Sequence, residues 1–159
     1  MPTIELDNPR LVIRKCERRV ELFDGDELVK RYKMVLGTSP SGEKETEGDG
    51  RTPESDFFVF AKNPKSKFHL SLGLSYPGRE DAERGLKEGL ISREEHDEIV
   101  AAVAERRTPL QKTKLGGEIY IHGGGTTSDW TEGCVALDND EMTELFEAIT
   151  VGTKVTILP

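Results

Sequence analysis

Short runs of alternating apolar and polar residues, each cut off by a turn signal, constrain this chain more than any other feature. Leu11-Val12-Ile13-Arg14-Lys15 and Arg19-Val20-Glu21-Leu22-Phe23 have the period of half-buried strands. Asp24-Gly25-Asp26 turns the chain, and Leu28 to Leu36 reads as the partner strand, ending at Gly37. The chain therefore opens as a β-meander. Residues 38–56 are rich in Gly, Pro and acid and read as a loop. Phe57-Phe58-Val59-Phe60 reads as a short buried strand, Asn63-Pro64 as a turn, and Phe68 to Leu74 as a strand with His69 on the face opposite Phe68, Leu70, Leu72 and Leu74.

The pattern then changes. Asp81 to Lys87 suits a helix that stops near Gly89. Ser92 with Glu95 three residues on is a capping-box pattern, followed by His96, Ile99, Val100 and Val103 on one helical face. His96 is read as part of that stripe or its border. Glu118 to His122 returns to strand, with Ile119 and Ile121 on one face and Tyr120 and His122 on the other. Asp138 or Asn139 caps a last helix whose buried stripe is Met142, Leu145, Phe146 and Ile149, and Lys154 to Leu158 closes as a strand. The expected class is β-rich α+β. Residues 1–159 read as a single domain with a two-helix insertion at about 79–107 and one C-terminal helix.

Bulk properties exclude several roles. The net charge of −8 leaves nothing to neutralise the phosphates of a nucleic acid and gives no attraction to an anionic membrane. No apolar run approaches the length of a membrane span. Met1-Pro2-Thr3-Ile4-Glu5-Leu6-Asp7 lacks the basic and apolar regions of a signal peptide. The chain as written thus reads as cytoplasmic, or as a mature or truncated form with a new start. Nothing in it fixes the oligomeric state. Its two cysteines, Cys16 and Cys134, make no disulfide framework, and a bridge between them would consume the one placed for chemistry. Cys16 lies between two strands with no histidine near it in sequence and reads as a structural or incidental thiol.

The chemistry concentrates in Gly117-Glu118-Ile119-Tyr120-Ile121-His122-Gly123-Gly124-Gly125 and Asp129-Trp130-Thr131-Glu132-Gly133-Cys134. A thiol needs a base to react near neutral pH, and His122 at a strand end supplies one. Flanking glycines let backbone amides approach a reacting carbonyl. The pair reads as a Cys/His acyl-transfer site. Three other readings fail. His-Gly-Gly-Gly also occurs in lipase-like hydrolases, but the Gly-x-Ser-x-Gly elbow they require is absent. His69, His96, His122 and the cysteines lack metal-ligand spacing, and Gly125-Thr126-Thr127 lacks the lysine of a phosphate loop. No cofactor is needed.

Taken together, His122-Gly123, Thr131-Glu132-Gly133-Cys134 and Asn139 resemble the signature of the L,D-transpeptidase (YkuD-type) family. Gly37 with Gly50-Arg51-Thr52-Pro53-Glu54-Ser55-Asp56-Phe57 is similar to that family's Gly…Thr-Pro-x-Gly stretch, with Ser55 where Gly is usual, and Gly152 to Ile157 is similar to its closing strand. Ser71 to Pro77, the helical insert and Asp129-Trp130-Thr131 resemble the murein-transpeptidase subgroup that includes YafK-like proteins.

The resemblance implies a β-sandwich or barrel, a peptidoglycan stem-peptide substrate and a periplasmic or extracytoplasmic location. It implies Cys134 as nucleophile and His122 as base. The Gly133 and Cys134 amides, with the His122-Gly123 turn, would stabilise the oxyanion, and a backbone carbonyl or Asp129 would orient the imidazole. Trp130, Thr131, Tyr120, Tyr76 and His69 are candidate substrate contacts. The family's arginine two residues after the cysteine is here Ala136, and Lys62, Lys65, Lys67, Arg79, Lys112 or Lys114 stand as substitutes. Transfer to an amine, hydrolysis of the same bonds by a carboxypeptidase or amidase, and a silent wall-binding domain all remain open.

Overall fold

The computed structural model describes residues 4–159. The opening meander forms as the alternation requires. β1 (Pro9–Arg14), β2 (Arg19–Asp24) and β3 (Glu27–Lys33) pair antiparallel in sequence order, with Leu11, Ile13, Val20 and Leu22 turned into the core. β3 is shorter than expected. Its continuation leaves the ladder and makes single bridges instead, Val35 with Ala136 and Gly37 with Thr131.

β4 (Ser55–Ser66) is far longer than the four apolar residues that signalled it. Asn63-Pro64 does not turn the chain. The register to the next strand is irregular between Asn63 and Ser66, and such a bulge needs no amide from proline. The turn falls at Lys67-Phe68, so Phe68 lies outside β5 (His69–Leu74). α1 (Arg79–Lys87) and α2 (Arg93–Ala104) follow. Ser92 caps α2 reciprocally with Glu95, and Ile99 and Ala102 are its buried residues, with His96 at the border of the stripe. The two helices close over a small separate core of Ala82, Ile91, Ile99 and Leu115.

β6 (Tyr120–His122), β7 (Val135–Ala136), α3 (Asn139–Ala148) and β8 (Lys154–Leu158) complete the chain. β7, two residues long, carried no sequence signal. The sheet order is β3-β2-β1-β8-β4-β5-β6-β7. Because the segment after β3 bridges Ala136 of β7, the curled sheet meets itself end to end. The interior holds one large apolar cluster, to which α3 adds Met142, Leu145 and Ala148 and its C-cap residue adds Ile149, with Phe146 at the edge. No described helix is long and apolar enough to cross a membrane.

Candidate active site

β6 and β7 run parallel, with Ile121 opposite Val135 and His122 opposite Ala136. One residue back, this register sets Cys134 beside Tyr120, on the face that carries His122 two residues later. The Tyr120 N–H donates to Cys134 Sγ at 3.4 Å, and the thiol donates to Glu118 O at the same distance. Glu118 holds φ +55°, unusual for a residue with a Cβ, and its own N–H donates to Gln111 Oε1 at 2.8 Å. Cys16 and Cys134 are both free thiols.

The imidazole is fixed from three sides. His122 Nδ1 lies 2.6 Å from Gly123 O, and a carbonyl can only accept, so Nδ1 carries the proton and Nε2 keeps its lone pair. Phe68 stacks on the ring at 4.7 Å, and Trp130 meets it edge-on at 5.5 Å. Trp130 is itself anchored by its Nε1–H to Gly125 O at 3.1 Å. Burial pushes the His122 pKa below its ordinary value, against the opposing effect of the Gly123 carbonyl. Burial likewise pushes the Cys134 thiol up to about 11; the Tyr120 N–H and the Lys44 charge act against it, and Glu118 and Glu132 act with it. Among the described residues the thiol's hydrogen bonds go to Glu118 and Tyr120, not to the imidazole.

The turn ahead of the thiol is cross-braced. Thr131 Oγ1 donates to Cys134 O at 2.8 Å and accepts the Gly133 N–H at 3.2 Å, and Thr52 Oγ1 donates to Gly133 O at 2.7 Å. Gly133 holds φ +122°, and a Cβ there would lie 2.7 Å from Arg51 O. These bonds correct the expected oxyanion donors. The Gly133 N–H belongs to Thr131, and the Gly123 N–H donates to Phe68 O at 2.9 Å. The Cys134 N–H, by contrast, has no acceptor among the described residues.

Other expectations also change. Tyr76 is fully buried, with its hydroxyl donating to Leu115 O at 2.7 Å, so it offers no surface to a substrate. His69 turns away to Thr143 Oγ1 at 2.7 Å on α3. Tyr120 reaches the thiol through its backbone, and Thr131 serves the turn. Asp129 does not orient the imidazole: it takes Arg18 with both carboxylate oxygens, at 3.2 and 2.9 Å, and the Leu36 N–H at 2.9 Å. Asp138 is the N-cap residue of α3, but its carboxylate accepts from Thr126 Oγ1 instead of capping the helix amides. Asn139 Oδ1 accepts the Gly124 N–H at 2.9 Å, tying the glycine loop to that helix. Phe68 and Thr52 were missed as site residues; their partners lie some fifty and eighty positions away, and only Thr52, in the Thr52-Pro53 stretch, carries a local signal.

Two cavities meet at the thiol. One, about 290 Å³, is walled by Lys67, Phe68, His122 and Trp130 and floored by Thr131. The other, about 320 Å³, is walled by Thr38, Lys44, Gly50, Gly117 and Glu118. Both include Glu132 and Cys134. A larger cavity of about 440 Å³, near Asp81 and Arg106, contains neither a thiol nor an imidazole. Among the described residues no group of three or more His, Cys, Asp or Glu side chains could hold a metal ion.

Residues 8–157 match the family described as YkuD, L,D-transpeptidase catalytic domain. Comparison with curated protein sequences gives no match. Among solved structures, the helical cell shape determining protein Pgp2 from Campylobacter jejuni is similar at TM-score 0.63 and 20% identity, over 95% of this chain and 48% of that one. Bd1075 from Bdellovibrio bacteriovorus is similar at TM-score 0.62 and 20% identity, over 96% and 48%. An L,D-transpeptidase from Mycobacterium smegmatis gives TM-score 0.56 and 10% identity, over 96% and 59%. The chain thus spans about half the length of the first two of these proteins, and at such identities the likeness is one of fold.

Proposed function

Because this chain belongs to the YkuD family of L,D-transpeptidase catalytic domains, we propose that residues 1–159 work as one catalytic domain that acylates Cys134 with a peptidoglycan stem peptide and passes the acyl group to an amine. The observation that carries this reading is the shared cavity of Cys134 and a His122 whose Nε2 has no hydrogen-bond partner among the described residues.

The steps follow from the residues. The thiol leaves Glu118 O and turns to His122 Nε2, which takes its proton. The sulfur attacks the carbonyl that joins an L-configured centre to a D-residue, diaminopimelate to D-Ala in a typical stem peptide. The Cys134 N–H is the amide available to the developing oxyanion, a contact worth about 3–4 kcal/mol in other enzymes. His122 returns its proton to the departing amine, leaving a thioester. An acceptor amine then attacks the thioester, losing its proton to the same imidazole. Two cavities sharing one thiol suit a reaction with separate donor and acceptor peptides. A substrate of this class places the domain outside the cytoplasm.

Intact-protein mass spectrometry with a tetrapeptide donor or a carbapenem tests the assignment. A covalent adduct is expected on the wild type and on Cys16→Ser, and none on Cys134→Ala. Equal labelling of the wild type and Cys134→Ala would remove Cys134 from the role. Product analysis with and without an acceptor amine separates transfer from hydrolysis, since only transfer yields a cross-linked dimer.

A further inference from the structure

A peptide ending in a carboxylate needs a cation near the thiol, and the chain has no arginine where the family resemblance puts one. β7 leaves no room for it. Ala136 is fully buried and exchanges backbone hydrogen bonds with Val35 in both directions, each at 3.0 Å. Of the six possible substitutes, Lys62 lies 4.5 Å over the Phe146 ring and Arg79 pairs with Glu83. Lys65, Lys112 and Lys114 line neither cavity at the thiol. In the second cavity Lys44 is buried, and its ammonium is committed to Asp49 and Thr46 O.

Lys67 differs from all of these. It is exposed, it lines the same cavity as His122 and Cys134, and its Nζ sits 5.6 Å from the centroid of the Phe68 ring that stacks on the imidazole. It has no salt-bridge partner among the described residues. His122 contributes no charge of its own in the neutral form, so Lys67 is the cation of that cavity, with Glu132 as its one acid. The turn at Lys67-Phe68 puts it there.

Resting on the acyl-transfer reading above, we propose that Lys67 is a specificity-determining residue that holds the C-terminal carboxylate of the acyl-donor peptide in the cavity that Lys67 lines with Phe68, Trp130 and Cys134. That carboxylate lies one residue beyond the attacked carbonyl, so a cation on the cavity wall beside the thiol meets it when the peptide is seated for attack. A lysine holds it as a point charge, without the two-pronged geometry of a guanidinium. Glu132 repels it and sets how much Lys67 has to overcome.

The test measures binding separately from turnover. In Cys134→Ala protein, calorimetry compares a stem tetrapeptide acid with its C-terminal amide. The acid is expected to bind more tightly. Adding Lys67→Gln should weaken the acid by about fivefold to tenfold and leave the amide within about twofold, while Lys67→Arg restores the difference. Adding Glu132→Gln should tighten the acid alone. Equal affinity for acid and amide, an equal loss on both with Lys67→Gln, or binding of neither would overturn the proposal. If the acid binds as expected but the Cys134 protein forms no thioester, the acyl-transfer reading falls and the carboxylate contact stands.

Discussion

At the scale of single residues, the shifts on His122 and Cys134 bear on the proposed proton transfer. A standing thiolate–imidazolium pair requires a thiol more acidic than the imidazolium. Here the thiol is pushed up to about 11 and the imidazole below its ordinary 6.5. With the thiol bonded to Glu118 O, neither shift favours a standing ion pair, and the proposed proton transfer waits until the thiol turns to His122 Nε2. The neutral imidazole forms as pH rises through its lowered pKa. The rate of acylation should therefore climb on the acid side of pH 6.5 and stay level to about pH 9, and His122→Asn should abolish that acid limb along with about a hundredfold or more of the rate. A pH profile of thioester formation checks this; a rate still climbing from pH 7 to 10 would indicate a thiol that ionises to solvent without help from His122. The proposed nucleophile and base could be nominated from sequence because a motif records residue types at fixed spacing. Their partners were not. The Gly133 N–H looks spare in sequence, and only the folded turn reveals Thr131 Oγ1 on it.

At the scale of elements, alternation and the Ser92 cap survived translation into structure, and the Asp138 cap and the Asn63-Pro64 turn did not. Ser92 with Glu95 started α2 where expected, because the cap is a local bond. Asn63-Pro64 failed as a turn because pairing with β5 outweighed local preference, and the bulge there spared the proline a ladder bond. α1 shows a further local device: the Gly78 N–H donates to Asp81 Oδ2 at 2.8 Å. Burial pushes Asp81 up to about 6 from its ordinary 3.8, with the Gly78 bond and Arg84 acting against it and Glu43 and Glu80 with it. The folded state thus holds this proton more tightly than the unfolded chain. Its stabilising contribution is complete below pH 3.8 and is lost as pH rises through about 6. Asp81→Asn keeps an acceptor for Gly78 and has no charge to bury. Its stability relative to wild type should rise between pH 4 and 7, by up to about 3 kcal/mol. Denaturant midpoints across that range measure it, and a pH-independent difference would refute it.

At the scale of the whole molecule, the site depends on the sheet meeting itself. Cys134 is placed by β7, and β7 is held between β6 and the strand-like segment after β3, through the reciprocal Val35–Ala136 bonds. Some eighty residues earlier in the chain, the Thr52 hydroxyl donates to Gly133 O, and the Arg51 carbonyl fills the space a Cβ at Gly133 would need. Gly37 sits in the same seam, where a Cβ would lie 2.5 Å from Gly50 O and 2.7 Å from Gly133 N. A two-residue strand with no side chain exposed gives a sequence nothing to display, which is why the closure could not be read from periodicity. The closure also makes a definite prediction about the missing arginine. Restoring it as Ala136→Arg would put a guanidinium where the side chain is fully enclosed. Burying a charge there and overpacking the closed seam costs about 3 kcal/mol or more, and Cys134 would shift with β7. Ala136→Arg should therefore melt well below wild type and lose adduct formation, whereas Lys67→Arg, with the same guanidinium on the open wall of the cavity, should melt as wild type does. Thermal unfolding of the two variants side by side decides it: an Ala136→Arg protein as stable and as active as wild type would mean that β7 does not seal the seam that positions the thiol.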